Sequence, residues 1–360
     1  MTETTFLFFP KVIQDFARQL LIASGVPETK AYLVAESLVD ASLRGVDSHG
    51  IQLMTFYLEK LARGEIDAAA EGYVVSESGG CLLYDGCNGL GQVVSDTCCR
   101  HAVRLAKKHG IGMVVARESN HFGAAAFWAQ RISSEGCIGL VMCNASPSVP
   151  PWQGREARVG TNPICMSVPG KGGKGWLLDM ATTTVAAGKI FKASLNRQPE
   201  IPAGWALDSN GVPTTDTQAA LKGLLMPLGG YKGSGLAMMV EILCGVLSGG
   251  AMSTEVGGVR ILGRPMRTSQ MFMAIDVTRF IPIEQFQERL DWLVKNVKSA
   301  APARGYNEVL VAGEPEWRTE EIRRYQGVPV SGGVWERLMD AAKRLQVAIP
   351  EPLSPQSGLE

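Results

Sequence analysis

From Lys11 onward apolar side chains return every three or four residues, with Val12, Phe16 and Leu20 on one face, a spacing that predicts a helix. A second helix opens at Pro27, with Glu28 in its first turn, and carries Leu33, Val34, Leu38 and Ala41 to a stop at Arg44-Gly45. A third runs from about Ile51 through Met54, Tyr57, Leu58 and Leu61 to Arg63-Gly64. The pattern then turns to strands over Gly72 to Tyr84, a helix from Gln92 to Lys108 and a buried strand from Ile111 to Ala116. Further strands are expected at Cys137–Cys143, Ile164–Val168, Trp176–Asp179, Met271–Ile275 and Glu308–Val311. Further helices are expected at Ala124–Ser133, Val185–Leu195, Leu236–Leu247, Ile283–Val297 and Val334–Leu345. Arg197–Gly223 and Gly249–Ser269 read as irregular surface excursions, and Pro350–Glu360 as a disordered tail. Such interleaving predicts an α/β chain of mixed α+β character, without internal repeats.

Several breaks between these elements carry reactive side chains. Arg44-Gly45-Val46-Asp47-Ser48-His49-Gly50 joins the second and third helices, placing Ser48 as an N-cap and His49 in the first turn of the next helix. The helix dipole disfavours a charged imidazole there and Asp47 favours it, a setting in which His49 titrates near neutral pH. A helix cap with an incidental histidine satisfies the same pattern. Ser119-Asn120-His121-Phe122-Gly123 lies between a strand end and a helix start, where active-site loops occur, although a buried histidine bonded to backbone fits equally. Asp179 ends a strand before Met180-Ala181-Thr182-Thr183-Thr184 and suits either function or a cap. Gly229-Gly230-Tyr231-Lys232-Gly233-Ser234-Gly235 opens an apolar helix, as an anion site or as small residues needed for packing.

Two glycine-rich turns invite a nucleotide-binding reading and do not support it. Gly89-x-Gly91 is followed by Val94 where a dinucleotide fingerprint needs its third glycine, and Glu118 falls late for the ribose acid. Lys171-Gly172-Gly173-Lys174-Gly175 sits between two strands, as a hairpin turn does.

Composition narrows the class. At 360 residues the chain is long enough for two or more lobes. Lys plus Arg and Asp plus Glu are both 35, so nothing suggests a basic face for nucleic acid or an anionic membrane. No apolar run approaches the ~20 residues of a membrane span. Met1–Pro10 carries Glu3 and lacks a basic start and a small-residue cleavage site, so no signal peptide is expected. The eight cysteines form no CxxC pair and read as buried thiols of a cytoplasmic protein. Four histidines without short ligand spacing argue against a metal site.

Five motifs in register carry a resemblance over about Gln14 to Arg337: Arg44 to Gly50, Ser119 to Gly123, Gly160-Thr161-Asn162-Pro163, Asp179 to Thr182, and Tyr231 to Gly235. Together they resemble the malate/L-lactate dehydrogenase family, the type-2 group unrelated to Rossmann lactate dehydrogenases. The resemblance implies an NAD- or NADP-dependent oxidoreductase, a cofactor domain that is not a Rossmann fold, and a homodimer. It implies a helical part over 1–70 joined by 315–350, a central strand and helix domain over 71–118 with 271–314, an NAD(P)-binding domain over 119–270, and a tail over 351–360. Substrates in the family are small 2-oxo or 2-hydroxy acids (malate, lactate, sulfolactate, ureidoglycolate), and relatives reduce diketogulonate or cyclic imino acids. By position, His49 is the acid/base with Ser48 its neighbour, Asp179 is a second polar group by the substrate, and His121 matches a histidine that serves as base in some members. Cofactor contacts would come from His121, Thr161, Asp179, Met180, Ala181, Thr182, Thr183, Gly188, Lys189, Lys232, Gly233, Gly313 and Glu314. Tyr231-Lys232-Gly233-Ser234-Gly235 and Pro150-Pro151-Trp152 are nearer to the diketogulonate reductases within the family.

The chemistry suits these residues independently. Reduction of a 2-oxo acid builds negative charge on the carbonyl oxygen, which an imidazole of suitable pKa can protonate. His49 meets that need, with Asp47 or Asp179 setting its tautomer. Arg44, one helical turn earlier, is the expected anchor for the substrate carboxylate. Three rivals remain open: a reductase of cyclic imino acids, a non-catalytic binding homologue, and a Rossmann enzyme using the Gly86 to Gly91 loop.

Overall fold

A computed structural model describes residues 4–353 apart from Asn196. The chain begins with a short strand, β1 (Thr5–Phe8), then α1 (Pro10–Ala23), α2 (Glu28–Leu43) and α3 (Met54–Ala62). Pro27 precedes α2 with extended backbone, Arg44 closes it, and Gly45 at φ +79° turns the chain away. Next come β2 (Tyr73–Ser78), β3 (Cys81–Asp85), α4 (Gly91–His109), β4 (Ile111–Ser119), α5 (Ala125–Ser133), β5 (Cys137–Cys143), β6 (Ile164–Ser167) and β7 (Leu177–Met180). After α6 (Ala187–Leu195) a small unit follows: β8 (Ala206–Leu207), β9 (Pro213–Thr214), α7 (Thr217–Leu221) and β10 (Leu224–Leu225). Helix α8 (Tyr231–Glu241), continued by a π turn at Ile242–Val246, leads to β11 (Thr268–Asp276). The chain closes with α9 (Ile283–Lys298), α10 (Glu314–Gln326), β12 (Val328–Ser331) and α11 (Gly332–Leu345).

A seven-stranded sheet in the order β2-β3-β4-β11-β5-β6-β7 forms the middle of the molecule. Only β3 and β4 run parallel, and every other pair is antiparallel. The period of two along its strands sorts the side chains between faces. Val114, Ala116, Val141, Phe272 and Ala274 pack under α4 and α5 with Cys98, Leu105, Trp128 and Ile132. Val115, Met142 and Met271 face the other way, against Val240 of α8 and Cys244. Beside the sheet, both chain ends share one helical layer. β1 pairs antiparallel with β12, and Phe8, Ile13, Leu20, Leu38, Tyr57, Trp335 and Leu338 fill a single core. The sheet does not break at 118/119 or 270/271, where domain boundaries were expected, because β11 lies hydrogen-bonded between β4 and β5.

Three expectations from the sequence need correction. Arg197–Gly223 is not a bare loop: with Leu224 and Leu225 it makes a three-stranded sheet (β10-β8-β9) whose Ile201, Ala206 and Ala220 join a core with Val149 and Ile190. Two-residue strands leave no period to read. Glu308–Val311 is not a strand, since Glu308 is an exposed partner of Arg318 and no strand edge meets this segment. The residues after it form α10, which is polar all round and tied by pairs such as Arg318–Glu314 and Arg324–Glu320, so hydrophobic spacing could not reveal it. Of the tail expected over 351–360, residues 354–360 lie outside the described residues.

The Gly86 to Gly91 turn is scaffolding. Asn120, fully buried, donates its side-chain amide to the carbonyls of Asn88 and Gly89, at 3.0 and 2.8 Å. A Cβ on Gly91 would collide with the carbonyl oxygens of Asn120 and His121. The glycine is there so that α4 can start directly beneath the His121 loop. Gly91→Ala is therefore expected to lower stability by roughly 1–3 kcal/mol in a denaturant titration, whereas an alanine at Gly333, with open space around it and no positive φ, should cost far less.

Candidate active site

The early loop does not form as expected. Asp47–His49 is a single 3-10 turn followed by another at Ile51–Leu53, so Ser48 caps no helix and His49 lies in no helical first turn. What bends the chain is close approach to α2. Ser42 Oγ accepts the Ile51 N–H at 3.0 Å, and a Cβ on Gly50 would strike that hydroxyl. Asp47 turns outward into a bidentate pair with Arg323, at 2.6 and 3.1 Å, and does not touch His49. Ser48 Oγ is the polar neighbour of the ring, 3.0 Å from His49 Nδ1.

His121 approaches from the end of β4. The two imidazoles face each other with centroids 5.6 Å apart and planes within 19°. The His121 network settles its tautomer. The Gly123 N–H donates to Nδ1 at 3.1 Å, and a main-chain N–H can only donate, so Nδ1 must be an acceptor. Tyr57 Oη, 2.6 Å from the same nitrogen, donates to it as well, and Gln92 Nε2 donates to Tyr57 Oη at 3.0 Å. Burial keeps the Tyr57 phenol well above its usual pKa, so its proton stays available. Neutral His121 therefore carries its proton on Nε2.

Both rings are held below the ordinary histidine value. Burial and then the Arg260 charge push His49 down to about 4; burial, His49 and Arg260 push His121 down to about 3. Both line an open cleft, so water moderates this push until a ligand displaces it. The neutral-pH titration expected for His49 is corrected accordingly, because desolvation outweighs an Asp47 that faces elsewhere.

The cleft holds about 600 Å³, within the range of small-molecule sites. In its wall stands Asp179, whose carboxylate accepts the Ala126 N–H of α5 at 2.9 Å. Asp179 thus caps a helix, though not its own. Burial raises its pKa, against the Ala126 N–H and Arg44. Arg44 is only 3% exposed, lies 5.5 Å over the Trp317 ring and is 3.8 Å from Asp40, whose carboxyl burial lifts to about 6. Its charge is felt at Asp179, and it is Arg260 whose charge reaches the histidines. Arg44 shares the cleft wall with His49 and keeps Nε and Nη1 without a hydrogen-bond partner among the described residues, but its charge reaches Asp179 and not the imidazole.

Of the expected cofactor residues, His121, Thr161, Asp179, Ala181, Gly188 and Gly313 line the cleft. Met180, Thr182, Thr183, Lys189, Lys232, Gly233 and Glu314 do not. The Thr182 hydroxyl is engaged by Thr161 O and the Thr183 hydroxyl by Val185 O. Lys189 and Lys232 are exposed, and Glu314 is held by Lys298 and Arg318. A Cβ on Gly233 would collide with Leu228, so packing, and not an anion, requires that glycine. Sequence reading missed Tyr57, Gln92 and Arg260. Tyr57 and Gln92 sit in helical periods that signal only core, and Arg260 sits in an excursion with no motif.

A family model described as malate/L-lactate dehydrogenase matches residues 10–339. The chain is 39% identical to the malate dehydrogenase of Pyrococcus horikoshii, over 92% of this chain and 94% of that one. It is 36% identical to the L-sulfolactate dehydrogenase of Methanocaldococcus jannaschii, over 91% and 94%. The solved structure of the Pyrococcus horikoshii malate dehydrogenase superposes with a TM-score of 0.88 over 96% of this chain and 97% of that one.

The depressed histidines have a measurable consequence. Unfolded histidine binds a proton near pH 6.5 while the folded rings resist protonation until about pH 4 and 3, so their neutral burial favours folding above pH 6.5. That stability is lost as pH falls from 6.5 through the folded values, at no more than about 1.4 kcal/mol per pH unit for each ring. His121→Gln is expected to flatten the fall of unfolding free energy between pH 6.5 and 4. An unchanged slope would mean that the ring titrates freely.

Proposed function

Because the chain belongs to the malate/L-lactate dehydrogenase family and is an oxidoreductase, we propose that it interconverts a small 2-oxo acid and its 2-hydroxy acid with NAD or NADP. The facing His49 and His121 rings at one end of the cleft carry this reading. A nicotinamide, when bound, gives or takes the hydride at the carbon that bears the oxygen.

The cleft suits such a cofactor. Helix α6 begins at Ala187-Gly188 in its wall, and a Cβ on Gly188 would meet only Ser48, at 3.7 Å. A bare helix start opposite the Ser48 turn is a cradle for a phosphate. Thr161, Ala181 and Gly313 would complete the holding residues, with Asp179 close to the reacting end. The cofactor part of the molecule is read as not a Rossmann fold, which the largely antiparallel sheet and the structural use of Gly91 support.

The two rings divide the proton work. His121, with Nδ1 occupied by the Gly123 N–H, offers the Nε2 proton as a fixed hydrogen bond to the substrate oxygen. His49 is the proton carrier. Ser48 accepting from its Nδ1–H leaves Nε2 unprotonated as the base that takes the alcohol proton. In the reducing direction the imidazolium returns that proton from Nε2, and Ser48 still accepts from Nδ1. Its low pKa makes the imidazolium a ready donor, and an anionic substrate beside Arg260 would offset that charge and lift His49 toward working pH.

The chain is also read as a homodimer. Met238, Ile242 and Val246 form an exposed apolar stripe at four-residue spacing along α8 and its extension, which a second copy would cover. Six buried free thiols accord with a reducing compartment such as the cytoplasm.

Malate- and sulfolactate-type acids lead the substrate panel, since relatives carry those names. Their 2-oxo forms, pyruvate and a cyclic imino acid should each be offered with NADH and with NADPH while nicotinamide absorbance is followed. Turnover restricted to the imine would replace the keto-acid reading. With the active pair, His49→Gln is expected to lower kcat by roughly two to four orders of magnitude while cofactor affinity stays within about twofold. An unaltered kcat would remove His49 from the mechanism.

A further inference from the structure

The excursion that carries Arg260 is one of the most firmly held loops in the molecule. Lys60, fully buried on α3, donates to the Ile261 carbonyl at 2.9 Å and the Arg264 carbonyl at 3.2 Å, and pairs with Glu65 at 2.6 Å. Glu65 in turn accepts the Gly263 N–H at 2.7 Å. Burial alone would raise its pKa, but Lys60 and that N–H hold the carboxyl below its usual range. Val259 packs on the helical core, and Gly257 N–H bonds to Met266 O at 2.7 Å. Residues on both sides of Arg260 are thereby fixed, while its side chain is left exposed in the cleft.

That guanidinium has no carboxylate within ion-pair distance among the described residues. It stacks 5.8 Å over the Phe56 ring, and the Arg337 guanidinium lies 6.0 Å from the same ring, so two cations share one aromatic residue without a counter-charge. Partial desolvation by the cleft wall and then the Arg337 charge hold the Arg260 guanidinium below its usual pKa. An unpaired cation beside two neutral imidazoles, with a second cation on the same aromatic ring, is completed by an anion. Arg44, the other arginine lining the cleft, is buried beside Asp40 and Trp317; its Nε and Nη1 have no hydrogen-bond partner among the described residues, but its charge reaches Asp179 and not the histidines.

We propose that Arg260 is the residue that binds the carboxylate of the substrate, with Arg337 reinforcing the positive potential behind it. The assignment rests on the 2-oxo acid reading above. A carboxylate on the planar guanidinium fork would leave the adjacent carbonyl carbon beside His49 and His121, since all three side chains line the same cleft. Lys60 and Glu65 act as positioning residues, because they hold the loop and touch nothing in the cleft.

The test reads binding separately from turnover. In steady-state kinetics with the active 2-oxo acid, Arg260→Gln is expected to raise KM about 100-fold, as loss of a charge-assisted pair does. kcat should fall less than about tenfold and NAD(P)H affinity should change less than about twofold. Arg260→Lys, which keeps charge without the fork, should recover part of the KM. Titration calorimetry with oxalate, which cannot be reduced, should show binding to the wild type with cofactor present and about 100-fold weaker binding to Arg260→Gln. If KM and oxalate affinity are unmoved in a variant with the wild-type unfolding midpoint, the assignment falls while the oxidoreductase reading stands. If no 2-oxo acid is turned over by the wild type and oxalate binding still depends on Arg260, the parent reading falls and the anion site stands.

Discussion

One hydrogen bond sets the character of the site: the main-chain N–H of Gly123 pointing at His121 Nδ1, 3.1 Å away. Gly123 can turn its amide back on a ring two residues earlier because it sits at φ +80°, a conformation side chains rarely adopt. That amide cannot reverse its role. Protonating Nδ1 would set two hydrogens against each other, so the ring stays neutral and directs its Nε2 proton outward. Tyr57 from α3 and Gln92 from α4 complete the constraint, and Asn120 ties the same loop to the Gly86 to Gly91 turn. Elements as separate as α3, α4 and the loop after β4 thus converge on one imidazole. A neutral ring in that position polarises an oxygen but cannot collect its proton. The second ring, whose hydrogen-bond partner among the described residues is a serine hydroxyl able to accept or donate, is then the one free to change charge.

Much of this frame is readable in the chain where hydrophobic spacing is strong. The boundaries of α2, α4, β5 and α11 lie within a residue or two of expectation, because each buries one continuous face. Legibility fails in three physical circumstances. Helix α10 lacks an apolar face. The β8-β9-β10 unit is too short to show a period. The third case is long range: β11 enters the middle of the sheet between strands more than a hundred residues earlier, and no local pattern encodes a partner. The site divides the same way. His49, His121 and Asp179 stand at breaks between elements and could be singled out. Arg44 stands in the same cleft wall but packs against Trp317 and acts on Asp179, which nearness to His49 along the chain could not reveal. Arg260 could not be found, since it reaches the histidines only through a loop anchored on α3.

The loops around the cleft raise a problem that apolar packing cannot solve. A wall that must present main chain and a few polar groups to a ligand has no room for the bulky side chains that would otherwise fix it. Here buried polar side chains take that part. Glu241, 5% exposed, accepts from Asn144 and Asn162, and these amides bond onward to the Ala251 and Ala237 carbonyls. Asn162 Oδ1 receives the Ala145 N–H and Asn144 Oδ1 the Ser269 N–H, so two cleft loops are joined to α8 and β11 through three side chains. Lys60 and Glu65 do the same for the Arg260 loop.

A buried charge is destabilising unless its capacity for hydrogen bonds is filled. Lys60 finds three acceptors, and Glu65 two donors, which satisfies that condition. Replacement of such a pair by apolar residues is often neutral for stability, so folding alone does not explain its presence. Its partners do: Lys60 and Glu65 bond to Ile261, Gly263 and Arg264, about two hundred residues along the chain, in the loop that presents Arg260. Stiffness is therefore concentrated under the cation and the imidazoles, the groups whose placement to within a fraction of an ångström would govern the proposed proton and hydride transfer.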